Sequence, residues 1–134
     1  MKQPDPKRHS LTGHRLRRHA EYQIAYKSAR KFQSQSMSWF LALRTAADKH
    51  AAHIDIPRVG LTAGKVLGPS HERNRIKRRM RDVLRKHTEQ LPAGCDLIFH
   101  PRRAVLTIEY KKLEAEVLRI LSQARSEAER LVRS

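Results

Sequence analysis

The segment SHERNRIKRRMRDVLRK, residues 70–86, combines the periodicity of an amphipathic helix with an unusual concentration of positive charge. From Glu72 to Lys86, eight of fifteen residues are Arg or Lys, and Glu72 and Asp82 are the only acids. On a helical wheel the apolar side chains fall within an arc of about 100°, wide enough to anchor a helix on a sheet. These apolar residues are Ile76, Met80, Val83 and Leu84. The segment therefore predicts a helix that packs on a sheet and displays its charge outward.

The polar side of this predicted helix carries like charges with little compensation. The residues opposite the apolar arc are Asn74, Lys77, Arg78, Arg81 and Arg85, and those on its flanks are Arg75, Arg79 and Lys86. Lys77 and Arg81 are four positions apart, as are Arg81 and Arg85, and like charges at this spacing destabilise an isolated helix. A polyanionic ligand explains the arrangement better than a solvated charged face, because the ligand would neutralise the repulsion. The excess of arginine favours phosphate, since a guanidinium group can bind two oxygens at once.

The composition of the whole chain indicates the same kind of partner. Lys and Arg number 29 against 13 Asp and Glu, which gives a formal net charge of +16. Such an imbalance favours nucleic acid or an anionic membrane as the partner. No apolar run approaches the ~20 residues that cross a bilayer, and the start of the chain lacks the apolar core of a signal peptide. With a single cysteine, Cys95, and hence no internal disulfide, we expect a cytoplasmic protein that does not contact membranes.

At 134 residues, the chain has the size of one domain. Hydrophobic periodicity and Gly/Pro punctuation divide it into helices and strands. The predicted elements are a loose basic arm over residues 1–14, a helix over 18–30, strands over 36–46 and 58–64, the basic helix, a strand over 95–100, and a helix capped by Thr107. This order predicts an α+β or α/β sandwich in which residues 15–134 form one domain around one sheet. Trp39, Phe40 and Phe99 are expected in its core.

No motif for catalysis or metal binding by the protein is complete. His71 and Glu72 begin like the zinc-protease signature His-Glu-x-x-His, but Arg75 occupies the position of the second histidine. The segment from Gly60 to Lys65 resembles a phosphate-binding loop but has three residues between its glycines, not four. The eight histidines have no carboxylate or cysteine at ligand spacing. We therefore expect no catalytic residue and no metal site in this chain.

Residues 73–81, RNRIKRRMR, contain the pattern Arg-Asn-Arg-x-x-Lys/Arg-Arg. This pattern resembles that of the bacterial ribonuclease P protein subunit, and it is the specific part of the likeness. The segments EYQIAYKSAR (21–30), RVGLTAGKVLG (58–68) and LPAGCDLIFHPRRAVLTIEYKKLEAEVLRIL (91–121) are similar to the family in the same order. The resemblance spans roughly residues 14–123.

The resemblance implies a fold, an activity and partners. The family fold is a single-domain α-β sandwich of order αβββαβα, with a four-stranded sheet and an unusual left-handed β-α-β crossover around the basic helix. The family activity is endonucleolytic removal of the 5′ leader from precursor tRNA by a holoenzyme whose catalytic centre is RNA. The implied partners are the catalytic ribonuclease P RNA, in a 1:1 complex, and precursor tRNA. Mg²⁺ is expected to be held mainly by the RNA and not by the protein alone.

The resemblance also implies which residues bind RNA. Those at positions that contact the catalytic RNA in the family are Arg73, Asn74, Arg75, Lys77, Arg78 and Arg81. Lys65, just before the helix, is either a further RNA contact or an ordinary surface lysine. Tyr22 and Tyr26 match aromatic positions, more usually Phe, that line a cleft for the single-stranded leader. Two tyrosines at this spacing also suit simple packing on a sheet, but the family likeness favours leader contact.

Two other functions fit parts of the sequence. A structural ribosomal or nucleoid protein without a role in cleavage would carry the same charge, and only the context of the RNR pattern argues against it. A nuclease that acts without RNA would need carboxylates or histidines spaced for metal binding or acid–base chemistry, which the sequence lacks. An RNA-binding subunit of ribonuclease P is therefore the leading hypothesis.

Overall fold

The computed structural model describes residues 11–44 and 55–133. Its helices and strands are, in chain order, α1 (His19–Ser28), β1 (Arg30–Gln33), β2 (Met37–Leu43), β3 (Arg58–Leu61), α2 (Ser70–Lys86), β4 (Cys95–Pro101) and α3 (Tyr110–Arg133). This order confirms the αβββαβα arrangement and the α+β class. Residues 1–10 of the predicted arm lie outside the described residues.

The four strands form one mixed sheet in the order β1-β2-β4-β3. β2 pairs antiparallel with both β1 and β4, whereas β3 and β4 run parallel. Because parallel neighbours cannot be joined by a hairpin, the chain must cross over between them, and α2 forms this connection. The left-handedness implied for the crossover stays a prediction.

The two faces of the sheet carry different helices. Alternation along β2 sends Trp39 into the larger hydrophobic cluster, where the apolar side chains of α2 and α3 also lie. The next residue, Phe40, faces the opposite side, where Ala25 of α1 packs on Ala42 and Ile98. The basic helix and the first helix therefore lie on opposite faces of the sheet.

The apolar arc predicted for α2 is the part that anchors it. Ile76, Met80, Val83 and Leu84 are each completely buried. Burial of such a side chain stabilises a fold by roughly 1.5–3 kcal/mol. The chain enters the helix through Gly68, whose φ of 121° lies in the region that favours glycine. The anchoring predicted from the wheel is thus confirmed.

Several boundaries differ from the predicted ones. The helix predicted to extend to residue 30 ends at Ser28, and Arg30 begins β1, an edge strand that the sequence did not reveal. Thr107 does not cap the last helix; it follows a short turn, and the carbonyl of Glu109 accepts the first helical hydrogen bonds. The end of the predicted loose arm is packed, because Leu11 is only 7% exposed.

Candidate RNA-binding surfaces

The outward side of α2 presents the cations that the sequence predicted. Asn74, Arg75 and Arg78 are exposed, and Lys77 is half-buried. Among the described residues, neither Arg75, Lys77 nor Arg78 forms a salt bridge or a hydrogen bond through its side chain. We refer to Asn74, Arg75, Lys77 and Arg78 as the basic face. The side-chain charges of Arg75, Lys77 and Arg78 are therefore not neutralised by any described residue and are available to bind a ligand.

Two other cations of α2, Arg79 and Arg85, are held by the protein itself. Arg79 donates hydrogen bonds to the carbonyls of Val105 (2.8 Å) and Leu106 (3.1 Å), and so ties α2 to the turn before α3. Arg85 pairs with Asp82 one turn earlier. Because Arg79 and Arg85 have partners within the protein, fewer cations are available to a ligand than the helical wheel predicts.

Arg73 and Lys65 lie at the N-terminal end of the basic face. The Nε of Arg73 donates to the carbonyl of Gly68 at 3.1 Å, which fixes the guanidinium beside the start of the helix. Lys65 is exposed on the short turn Lys65–Leu67 that precedes Gly68. Both positions border the basic face, and their contact with RNA stays a prediction.

Arg81, one turn after Lys77 on α2, lies beside β3. It is half-buried and lines a concavity together with Arg15 and Tyr22, beside the edge strand β3. Burial, followed by the charge of Arg15, lowers the pKa of Arg81. Arg81 is therefore half-buried beside the edge strand, and its contact with RNA stays a prediction.

On the opposite face of the sheet, α1 and the strands form an aromatic cleft. The rings of Tyr26 and Phe40 meet edge to face, with centroids 5.3 Å apart. The ring of His100 lies 4.8 Å from Phe40, and its Nε2 is 2.7 Å from the hydroxyl oxygen of Tyr26. Tyr26 remains 38% exposed. We refer to Tyr22, Tyr26, Phe40 and His100 as the aromatic cleft.

Tyr22 forms the inner wall of the cleft and lies close against β3. A β-carbon on Gly60 would be 2.6 Å from a ring carbon of Tyr22, so only glycine leaves room for the ring there. Burial raises the pKa of Tyr22. The two tyrosines predicted from α1 thus share one site, with centroids 6.5 Å apart.

Two cleft residues, Phe40 and His100, and the neighbouring Lys31 were not predicted as functional. Phe40 was expected in the core but is half-buried on the α1 face, because alternation along β2 separates it from Trp39. Lys31 pairs across the strands with Phe40, and its Nζ lies 5.8 Å from the ring centroid. Burial, and then the charge of Lys31, lowers the pKa of His100. The alternation of side chains along β2 was the only sequence feature that could have placed Phe40 on the face opposite to Trp39.

A buried charge network fixes α1 over the sheet. Arg58 on β3 pairs with Glu21 of α1 at 2.7 Å and with Asp96 of β4 at 2.8 Å. Although burial acts to raise it, the pKa of Glu21 is lowered by hydrogen bonds from the backbone N–H groups of Arg18 and Arg17 and by the charge of Arg58. The carboxylate of Glu21 also caps the helix, which sets the position of both tyrosines.

Within residues 11–44 and 55–133, no group of three or more His, Cys, Asp or Glu side chains is placed to hold a metal ion. None of the helices in these ranges has the length and apolar character needed to cross a membrane. Cys95 is buried, and burial raises its pKa to about 11.

A basic face on one side of a sheet and an aromatic cleft on the other define an RNA-binding protein of the α+β class. A family model described as Ribonuclease P matches residues 12–125. The chain belongs to this family. Its role is that of the protein component of ribonuclease P, in an endoribonuclease holoenzyme with ribonuclease P RNA that processes precursor tRNA.

Curated relatives agree with this assignment over most of their length. The chain is 29% identical to the ribonuclease P protein component of Finegoldia magna, over 82% of this chain and 89% of the relative. It is 34% identical to that of Chloroflexus aggregans, over 82% of this chain and 76% of the relative. The sequence prediction of the family is confirmed.

Solved structures have the same fold. The RNase P protein of Staphylococcus aureus superposes with a TM-score of 0.68 at 21% identity, covering 84% of this chain and 95% of that protein. The RNase P protein of Thermotoga maritima gives a TM-score of 0.68 at 19% identity, covering 81% and 96%.

Proposed function

We propose that the two surfaces bind different RNAs within the holoenzyme. The basic face binds the catalytic RNA, together with Arg73, Arg81 and Lys65 at its ends. The aromatic cleft binds the single-stranded 5′ leader of precursor tRNA. The observation that carries this division is that α2 and α1 lie on opposite faces of one sheet, so that one protein can contact both RNAs at once.

The chemistry of each surface suits its proposed ligand. Guanidinium groups without acidic partners bind phosphate oxygens, as a folded RNA backbone requires. In the cleft, aromatic rings stack on bases, and each stacked base contributes about 1–3 kcal/mol. Lys31 at the rim lies close enough to Phe40 to neutralise a phosphate next to a stacked base.

The catalytic centre of the holoenzyme belongs to the RNA in this proposal, and no residue of the chain is catalytic. The partners of three buried or half-buried carboxylates support this assignment. Glu21 and Asp96 form salt bridges with Arg58. Glu116 accepts hydrogen bonds from the Ser34 hydroxyl group and the Ser36 backbone N–H. Mg²⁺ is accordingly held mainly by RNA phosphates, its preferred oxygen ligands, and not by the protein alone.

The proposed assembly is one protein with one catalytic RNA, in the cytoplasm, with residues 15–134 acting as a single RNA-binding domain. The presence of one basic face and one cleft on one sheet supports a 1:1 complex. The alternative role as a structural ribosomal or nucleoid protein has no specific observation in its favour. It would explain the positive charge but not the aromatic cleft.

Reconstitution tests the proposal. The chain is combined with its catalytic RNA, and cleavage of precursor tRNA is followed at low Mg²⁺ against RNA alone and protein alone. We expect the combination to cleave faster than RNA alone and the protein alone to be inactive. Cleavage by the purified protein would place the catalytic centre in this chain, and equal binding to duplex DNA and catalytic RNA would favour the structural role.

A further inference from the structure

The aromatic cleft contains a polar pair, formed by Tyr26 and His100. The hydroxyl oxygen of Tyr26 lies 2.7 Å from Nε2 of His100, and neither side chain is closed off from solvent, since Tyr26 is 38% exposed and His100 is half-buried. Among the described residues, the other ring nitrogen of His100, Nδ1, has no hydrogen-bond partner. The protein therefore holds one edge of the imidazole and leaves the other edge unpartnered.

The groups around His100 do not hold it in the charged form. Tyr26 faces it from α1, Ser38 and Phe40 lie beside it on β2, and Lys31 approaches the ring of Phe40 from β1. No carboxylate among the described residues acts on the imidazole; burial, and then the charge of Lys31, lowers the pKa of His100. The side chain is therefore mostly neutral near pH 7 in the free protein.

The protonation state decides which hydrogen-bonding groups this pair can offer to a ligand. A neutral imidazole has one N–H, so the pair presents either one outward donor at Nδ1, or an outward Tyr26 hydroxyl together with an acceptor at Nδ1. A protonated imidazole donates from Nε2 to the Tyr26 oxygen and from Nδ1 outward, and the hydrogen of the Tyr26 hydroxyl group then also points outward. Only the charged form combines two outward donors with a positive charge, and this combination suits a phosphate oxygen.

We propose that His100 takes up a proton when the single-stranded leader enters the cleft, and that the imidazolium and the Tyr26 hydroxyl group bind one leader phosphate. The negative charge of that phosphate offsets the repulsion from Lys31, which favours the neutral imidazole in the free protein. The base next to the phosphate can stack on Phe40, whose ring centroid lies 4.8 Å from that of His100. The inference rests on the proposed function, because that function assigns the leader to this cleft.

Proton uptake fixes the direction of a pH effect on leader binding. Binding that takes up one proton strengthens as the pH falls, by at most about tenfold per pH unit, and levels off once the free protein is itself protonated. The measured quantity is the ratio of the affinities of the holoenzyme for leader-bearing and for mature tRNA, since this ratio cancels pH effects on the parts that the two RNAs share. It should rise in favour of leader-bearing tRNA from about pH 7.5 to about pH 5.5.

His100→Gln is the test variant, because a glutamine amide can still bond the Tyr26 hydroxyl group but does not titrate in this range. The variant should have an affinity ratio that does not depend on pH. His71→Gln is the matched control, since His71 is exposed on α2, on the opposite face of the sheet, and it should keep the wild-type pH dependence. A ratio that is constant with pH in wild type, or that varies equally in wild type and His100→Gln, would overturn the inference.

Nuclear magnetic resonance of the full chain observes the proton directly. The imidazole resonances of His100 are followed over the same pH range with and without a saturating short single-stranded RNA oligonucleotide. We expect the pKa of His100 to be higher with the oligonucleotide, and an unchanged pKa would overturn the inference. Failure of the proposed leader site has a different signature, because leader-bearing and mature tRNA would then bind equally at every pH. A constant preference for leader-bearing tRNA would keep the leader site and remove only the proton.

Discussion

The hydroxyl group of Tyr26 on α1 lies 2.7 Å from Nε2 of His100 on β4. This hydrogen bond joins the helix to the sheet across the aromatic cleft and orients the Tyr26 ring edge-on to Phe40. A ring held in one orientation loses less conformational entropy when a base stacks on it. The pair thus prepares the cleft for a nucleotide.

Substitutions at Tyr26 should separate the contribution of the ring to leader binding from the contribution of the hydroxyl group. Tyr26→Ala is expected to weaken binding of leader-bearing precursor tRNA to the holoenzyme by about 1–3 kcal/mol, because a stacking surface is lost. Tyr26→Phe keeps the ring and should cost no more than about 1 kcal/mol. Equilibrium binding of precursor and mature tRNA measures both effects. An equal loss for mature tRNA would show that the cleft does not bind the leader.

His100 should make stability depend on pH. Burial and the charge of Lys31 hold its pKa below the ordinary 6.5 in the folded protein. The unfolded chain therefore binds more protons below about pH 6.5, so stability is present above that pH and is lost as the pH falls through the folded pKa. Urea unfolding of wild type and His100→Gln over this range should show a steeper loss in wild type. Lys31→Gln should reduce the slope; parallel curves for all three proteins would contradict this.

The contact between Gly60 and Tyr22 predicts a large effect for a small substitution. Gly60→Ala would place its β-carbon 2.6 Å from the Tyr22 ring, so the ring must leave β3. We expect a loss of stability of about 1–3 kcal/mol and a loss of leader affinity like that of Tyr22→Ala. Gly64→Ala is the matched control, because a β-carbon at Gly64 has no neighbour within 4 Å. Unfolding experiments measure the stability, and precursor-tRNA binding measures the leader affinity. Unchanged leader binding in Gly60→Ala would show that Tyr22 does not contact the leader.

The helix α2 could be predicted accurately because its signal is local. Seventeen residues carry a regular apolar arc, and the structure buries that arc as the wheel requires. β1 gave no such signal, because its sequence RKFQ has a single apolar residue and it pairs with β2 alone, at the edge of the sheet. An edge strand is specified by backbone pairing with a neighbour, and this does not appear in side-chain periodicity.

The cleft could be predicted only in part for a similar reason. Tyr22 and Tyr26 are one turn apart on one helix, so their shared face follows from the sequence. Their partners depend on strand register, which pairs Ser38 with His100 and Lys31 with Phe40. Arg81 likewise lines one concavity with Arg15 because a segment before α1 pairs with β3. These contacts are long-range, and no local pattern encodes them.

Asp96 should be the most sensitive residue of the charge network. Its side chain is 2% exposed and accepts hydrogen bonds from Arg58 (2.8 Å) and Arg44 (2.7 Å). Asp96→Ala leaves two arginines without this buried partner and should cost about 3–5 kcal/mol of unfolding free energy. Asp82→Ala breaks a half-exposed pair and should cost no more than about 1 kcal/mol. Chemical denaturation compares them, and similar losses would show that the buried network is not the main support of α1.

Salt dependence should distinguish the basic face from arginines that support the fold. Arg75→Ala and Arg78→Ala each remove one proposed phosphate contact, so the slope of log K against log salt for catalytic RNA should fall by about 0.7–0.9 per substitution. Their melting temperatures should stay close to wild type, because neither side chain has a partner among the described residues. Arg79→Ala should instead lower the melting temperature, since Arg79 bonds the carbonyls of the turn before α3. An unchanged slope for both Arg75→Ala and Arg78→Ala would mean that the catalytic RNA binds another surface.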